Sequence, residues 1–483
     1  MVVSHRSSQT TEHRPTSSTE ACDEPACART QLNAKALFQH YAPALIVGTA
    51  VLAPLKLSWT FVCLIPLLTL WLISYHREIV NIVSTDEHRL TVLPLIGWIA
   101  CAFAATCFGV NILHSLNGLA SFAFFSFLIL AVSSATYSSN SLNVRDVIFA
   151  LVCGQSLAAL HSMYDGMLDD SLPRFFLGEV TESGQLAITF FLAIGLGWYL
   201  WLSPAVSACM TARLYPLLGL VNALLFTTTG FSAALNLTPS VSLLLGITAS
   251  VSIAIFIYHS IYMWRINRNL DQAMLAFLIH LAVPLITAAL CVNLKRGPWL
   301  GVLIAGITLL ACTKRKLVLP IVAATVLLAA LLPPVRERIS LSYEHFMIHG
   351  GRYAMWEVGV ELAGRFPTGI GFDNSEFMRD FSTRIPPQHD HMHNNILNIL
   401  VETGWLGLVF FVWWLASILR VSMMSGHTSR ENALLFCCGC AILSWQVAGL
   451  VEYNFGDSEV LYVVFIVLGI MSSLLRKDAM STT

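Results

Sequence analysis

Between residues 389 and 395 the chain reads His389-Asp390-His391-Met392-His393-Asn394-Asn395, and an apolar run begins directly after it. Three imidazoles and a carboxylate within five residues offer two chemistries. Histidine titrates near neutral pH, so it can take a proton from an attacking hydroxyl. Histidine and carboxylate are also standard metal ligands. Alternate residues share a face on a strand and not on a helix. This stretch heads into a helix, so its spacing favours a proton-transfer role over a metal cage. Histidines that merely flank a span are the remaining reading.

Two other segments could hold an anion. Lys295-Arg296-Gly297-Pro298-Trp299 sits between two apolar runs. Pro298 suits the first turn of a helix, and Gly297 lets backbone approach a ligand. Free N–H groups and the helix dipole would add to the Arg296 guanidinium. The plain alternative is a snorkelling interfacial pair. In Gly350-Gly351-Arg352-Tyr353, with Trp356 one turn on, Arg352 could complete a bidentate phosphate clamp. It could equally pair at the surface with Glu357 or Glu361. Pro367-Thr368-Gly369-Ile370-Gly371 reads as a turn, or as a nest of N–H groups. Glu402 falls about two turns into the following helix, a depth at which ionisable groups are functional candidates. Glu452, Asp457 and Glu459 flank the last polar turn and are candidates for the same cavity.

What positions these residues follows from composition. Of 483 residues 56% are hydrophobic and 11% charged, with mean hydropathy +0.69. A soluble domain carries about 25% charge. Soluble enzymes, disordered chains and collagens are excluded, and the net charge of −1 gives no case for a nucleic acid partner. Continuous apolar runs exclude an outer-membrane barrel. An all-α polytopic membrane protein remains. Fourteen apolar segments have spanning length: 36–54, 57–75, 90–109, 116–136, 145–164, 184–203, 213–231, 239–263, 272–294, 297–312, 317–333, 394–420, 432–452 and 457–475, of which twelve to fourteen are expected to cross.

An alternating trace with the N-terminal tail inside puts every short basic loop inside, from His76-Arg77 through Lys314-Arg315-Lys316 to Arg476-Lys477. It places 165–183 and 334–393 outside. The division is then a disordered cytoplasmic tail (1–35), an N-terminal bundle (36–333), a large outer loop (334–393), C-terminal helices (394–475) and a short cytoplasmic tail (476–483). The loop holds 14 charged residues in 60, about twice the density of the chain. Loops this long tend to be functional. Within it 352–363 predicts an amphipathic helix on the membrane surface, stopped by Gly364. The twelve cysteines match no disulfide, zinc or redox spacing, and read as small apolar residues.

At this point the chain resembles a known family. His393-Asn394, nine residues, Gly404, two residues and Gly407 fit the signature of the bacterial O-antigen ligases. Lys295-Arg296-Gly297-Pro298-Trp299 is similar to that family's Ser-Arg-Gly-Ala-Trp element. Gly351-Arg352 with Trp356, then Pro367, Gly369 and Gly371, resemble the start of its large periplasmic loop. The likeness covers about residues 293–475, and the expected spans exceed the family's usual twelve by two. The signature is shared with O-antigen polymerases and protein O-oligosaccharyltransferases.

The resemblance implies a GT-C-like, metal-independent transferase without a cofactor, set in the bacterial inner membrane with its active site facing the periplasm. The donor would be a glycan on undecaprenyl diphosphate and the acceptor a hydroxyl of the lipid A-core oligosaccharide. By this mapping Arg296 and Arg352 bind the diphosphate and His393 is the catalytic histidine. His389, His391, Asn394, Glu402 and Glu452 are secondary candidates. Lys295 and Pro298 depart from the family's Ser and Ala. Two arginines can neutralise the leaving diphosphate while His393 takes the acceptor proton, a single inverting displacement that needs no second carboxylate. A transporter or lipid flippase would place ionisable groups near the bilayer midplane and show internal repeats. Here the charge sits in one loop, and no repeat is visible.

Overall fold

The computed structural model describes residues 24–79, 86–138, 142–168, 180–203, 215–232, 235, 237–267, 270–348, 351–385, 389–426 and 429–481. Among them the regular structure is helical throughout. In chain order the helices are α1 (Glu24–Leu52), α2 (Leu57–Tyr75), α3 (Asp86–Cys107), α4 (Ile112–Ser138), α5 (Val144–Leu168), α6 (Val180–Trp201), α7 (Tyr215–Gly230), α8 (Pro239–Asn267) and α9 (Leu270–Val292, with a π turn at Leu278–Ala282). Then come α10 (Arg296–Thr313), α11 (Val318–Leu331), α12 (Pro333–Ser340), α13 (Ser342–Met347), α14 (Arg352–Arg365), α15 (Asn395–Met424), α16 (Arg430–Ala448) and α17 (Ser458–Ser481).

All fourteen apolar segments fall on helices. Ten of these helices are long and apolar enough to cross a membrane among the described residues, or eleven with one bent pair. The chain is a multi-pass membrane protein. The remaining segments differ from these ten as follows. Segment 36–54 is the end of α1, which starts at Glu24 in polar sequence. Residues 1–23 lie outside the described set. Within the described residues the apolar stretches of α3 and α7 are Val92–Cys107 and Leu217–Gly230, shorter than the length counted as a span. After α11 the chain turns by 91° into α12. Leu332 is extended there (φ −84°, ψ 108°), as the residue before proline prefers to be.

Buried and exposed helices divide clearly. In α16 and α17, 83% of the apolar window is buried, against 6% in α8. A helix apolar on all sides and unpacked on most of them faces lipid. At the heart of the bundle an aromatic cluster joins α3, α4, α15, α16 and the turn before α17. Trp98 meets Phe122, Phe372 and Phe455 edge-on at 5.0, 5.7 and 5.3 Å, and Phe455 also packs on Phe411 and Trp445. Such pairs add to area burial by about 0.5–1.5 kcal/mol each. Here they tie the turn 449–457, through Phe455, to α3, α15 and α16.

The long loop has its own apolar core. Met355, Val358 and Leu362 of α14 pack with Ile370, Met378, Met392 and the first turns of α15. The apolar face of α14 is therefore covered by protein rather than laid on a membrane. The helix passes Gly364 and ends after Arg365, where the Phe366 N–H donates to the Leu362 carbonyl.

Gly404 explains how the loop is locked on. It has φ +72° and ψ −177° inside α15, a conformation open to glycine and costly for other residues. The break frees a donor and an acceptor, and the 367–371 turn takes both. Trp405 N–H donates to the Pro367 carbonyl at 3.1 Å, and Ile370 N–H donates to the Val401 carbonyl at 2.9 Å. Gly371 N–H reaches the Glu402 carbonyl at 3.1 Å. These amides are consumed, so the turn is a clamp and not an anion nest.

Candidate functional site

Three separated stretches meet at one carboxylate. Arg352, the first residue of α14, donates from Nη2 to Glu452 Oε1 at 2.7 Å. His393 Nδ1 lies 3.7 Å from Glu452 Oε2, an ion-pair separation rather than a formed hydrogen bond. Arg296 opens α10 and lies within electrostatic reach of Glu452, Arg338 and Arg352, and its Nη1 is buried without a hydrogen-bond partner. Gly297 lets that helix end come close: a Cβ there would stand 2.9 Å from Glu452 Cγ and 3.2 Å from the Ala448 carbonyl.

The geometry of His393 rests on the two asparagines after it. Asn394 caps α15, its Oδ1 accepting from the Leu397 N–H at 3.0 Å, while its amide donates to the Leu450 carbonyl. Capping contributes about 1 kcal/mol. Asn395 Oδ1 accepts from the N–H groups of Asn454 and Phe455 at 3.1 and 3.2 Å, and its Nδ2 donates to Asn454 Oδ1 at 2.7 Å. These bonds tie the turn that carries Glu452 to the residues beside His393. His393 itself has φ +48°, in the left-handed region that a non-glycine residue enters at a cost. From the other side Trp356 Nε1 donates to the Met392 carbonyl at 3.0 Å. The imidazole is over-determined in position, as a reacting group needs to be.

Electrostatics separates the three histidines. The His391 ring lies 4.3 Å from His393 and that of His389 5.4 Å. Burial, then the neighbouring His393, holds His391 down to about 3 and lowers His389 as well. Both are neutral at physiological pH. Burial pushes the Glu452 carboxyl up, but the facing His393 and the Arg352 guanidinium pull harder and bring it to about 2. Glu452 is a permanent anion. Among the described residues no three His, Cys, Asp or Glu side chains gather as a metal-ligand set.

Glu402 stands apart. It is fully buried and accepts from Asn398 Nδ2 at 2.8 Å, and Asn398 Oδ1 takes the Met392 N–H. It braces the loop against α15. Glu459 lies in the first turn of α17, where its carbonyl accepts from the Gln185 amide of α6. Arg338, Asn293, Asn395 and Asn454 were not singled out from sequence. Only the doubled Asn394-Asn395 before an apolar run carried a local signal, as a cap.

With this geometry in place the comparison with known families is informative. Residues 280–412 match the O-antigen ligase family model. The family supported is that of the O-antigen ligases. The matched stretch holds Arg296, Arg352 and His393, and ends just past the break at Gly404. It supports a membrane glycosyltransferase of the O-antigen ligase or polymerase type. No curated protein matches the chain.

Proposed function

We propose that this protein transfers a glycan from undecaprenyl diphosphate to a hydroxyl of the lipid A-core oligosaccharide, on the periplasmic side of the bacterial inner membrane. The observation that carries this reading is the meeting of Arg296, Arg352 and His393 around Glu452, from points up to 156 residues apart. Arg296 and Arg352 bind the donor diphosphate. With Nδ1 turned toward Glu452, Nε2 of His393 is left to accept the acceptor proton. Glu452 holds the imidazole in that orientation and stabilises the imidazolium that forms. The hydroxyl attacks the anomeric carbon opposite the diphosphate, so the anomeric centre inverts.

The test uses the full chain purified in detergent, a lipid-linked glycan, and three acceptors in turn: lipid A-core, a second lipid-linked glycan, and protein. Glycan moved to lipid A-core in a His393-dependent way is the expected result. Transfer to a lipid-linked glycan instead would make the protein a polymerase, and transfer to protein an O-oligosaccharyltransferase. No transfer to any of the three would remove the glycosyl-transfer reading.

A further inference from the structure

The cationic surround of Glu452 is larger than a two-arginine clamp. Lys295 is the N-cap residue of α10 and lies within electrostatic reach of Glu452 and the three nearby arginines. Arg338 comes from α12, and its Nε donates to the Leu294 carbonyl at 3.1 Å, next to the Lys295-Arg296 pair. Leu294 is itself held at φ +55°. One residue earlier, Asn293 is 2% exposed, and neither its Nδ2 nor its Oδ1 has a hydrogen-bond partner. Buried amides are ordinarily satisfied, so a ligand is a natural partner for this one. Four cations against one carboxylate leave an excess of three positive charges, before any histidine is counted.

We infer that Lys295, Arg338 and Asn293 belong to the same anion site, and that the site is matched to a diphosphate bearing three negative charges, the departing group, rather than to the doubly charged donor. The inference rests on the glycosyl-transfer reading. In the donor both phosphates are esterified and each carries one charge. As the acceptor oxygen bonds to the anomeric carbon, the carbon–oxygen bond to phosphate breaks and its electron pair stays with the diphosphate. The hydroxyl proton goes to His393. A third negative charge therefore appears on the leaving group as the bond breaks. Contacts that strengthen along the reaction lower its barrier, while contacts equal in both states only tighten binding. Lys295 stands where the related element has Ser, so this part of the charge is a feature of this chain.

The test is binding to the full chain in detergent of two probes: farnesyl diphosphate, with three charges, and its terminal methyl ester, with two. The wild type is expected to prefer the diphosphate by about tenfold or more. Lys295→Ser and Arg338→Gln are each expected to lose most of that preference, and to lower kcat more than they raise KM. Lys295→Arg and Arg338→Lys should retain much of it, which assigns the loss to charge rather than to folding. The preference should also fade in the wild type below about pH 6, where the terminal phosphate takes up a proton. Equal affinity of the wild type for both probes overturns the inference. So does a preference that depends on Arg352 and survives both Lys295→Ser and Arg338→Gln, and that outcome leaves the transfer reading standing. A wild type that binds neither probe and transfers nothing overturns both.

Discussion

Helix α16 carries an ion cluster at each end, about 28 Å apart by its nineteen residues. At its start, Arg430 reaches Asp271 at 3.7 Å, donates from Nε to the Tyr199 carbonyl at 3.0 Å, and lies over the Tyr199 ring at 4.1 Å. Arg145 donates to the same Asp271 at 2.6 Å and lies 3.4 Å from Asp146. Two arginines meet Asp146 and Asp271 there, Glu431 lines the same cavity, and that cavity measures only about 40 Å³. At the other end, past Ala448, Glu452 faces Arg352 and His393 with further cations around it. The residue types are nearly the same. The first cluster, with both arginines held by carboxylates, staples α5, α6, α9 and α16 together. The second, with cations in excess of its one carboxylate and a strained histidine beside it, keeps interaction energy available for a ligand.

That contrast can be broken by mutation. The largest effect is expected at His393→Ala, a loss of about 10²–10⁴ in transfer rate with donor binding largely retained. Asp271→Asn should leave transfer per folded molecule unchanged, and a comparable loss there would erase the distinction. Next, Arg296→Lys and Arg352→Lys should each cost roughly tenfold or more in kcat/KM, because the charge survives but the planar fork does not. Wild-type rates for both, at normal protein levels, would count against a phosphate clamp.

A third expectation concerns pH. The Glu452 carboxyl is held at about 2 in the fold against an ordinary value of 4.5. Its contribution to stability is therefore complete above about pH 4.5 and disappears as pH falls toward 2. The amount is on the order of 3 kcal/mol. Glu452→Gln should melt below wild type in detergent at pH 7, with the gap closing near pH 2.5. A gap that stays constant over that interval would show that the carboxylate is not the charged centre of the cluster. The smallest effect is expected for Asp271→Asn itself, about 1–2 kcal/mol of stability, since its partners are partly solvated. No change in melting would mean that the other end is no staple either.

The pattern of apolar segments was readable in the sequence because a helix in lipid must satisfy its own backbone and present apolar side chains over a fixed length. The sequence also put forward Arg296 and Arg352, each at the start of an expected helix, while among the three loop histidines it was the likeness to the O-antigen ligase signature that chose His393. It was less informative wherever the outcome depended on a partner far along the chain. Gly364 was expected to stop α14, but a helix stop is set by the packing of the last turn, and Phe366 closes it two residues later. Glu402 looked functional by its depth, yet its carboxylate is used by Asn398, four residues away, to brace the loop.

By itself, then, the sequence determined the solvent of this protein and the all-helical class, and put forward Arg296, Arg352 and His393 as candidates, because composition and local spacing are properties of single segments. Only the tertiary structure decided that Glu452, rather than Glu402, faces His393, that Arg338 and Lys295 lie beside the same carboxylate, and that the turn after Pro367 is a clamp. Those outcomes depend on the break at Gly404 and on the Asn395–Asn454 tie, which join residues across the loop and the final turn. A one-dimensional pattern carries no distance between such partners, and charge balance at a site is a sum over distances.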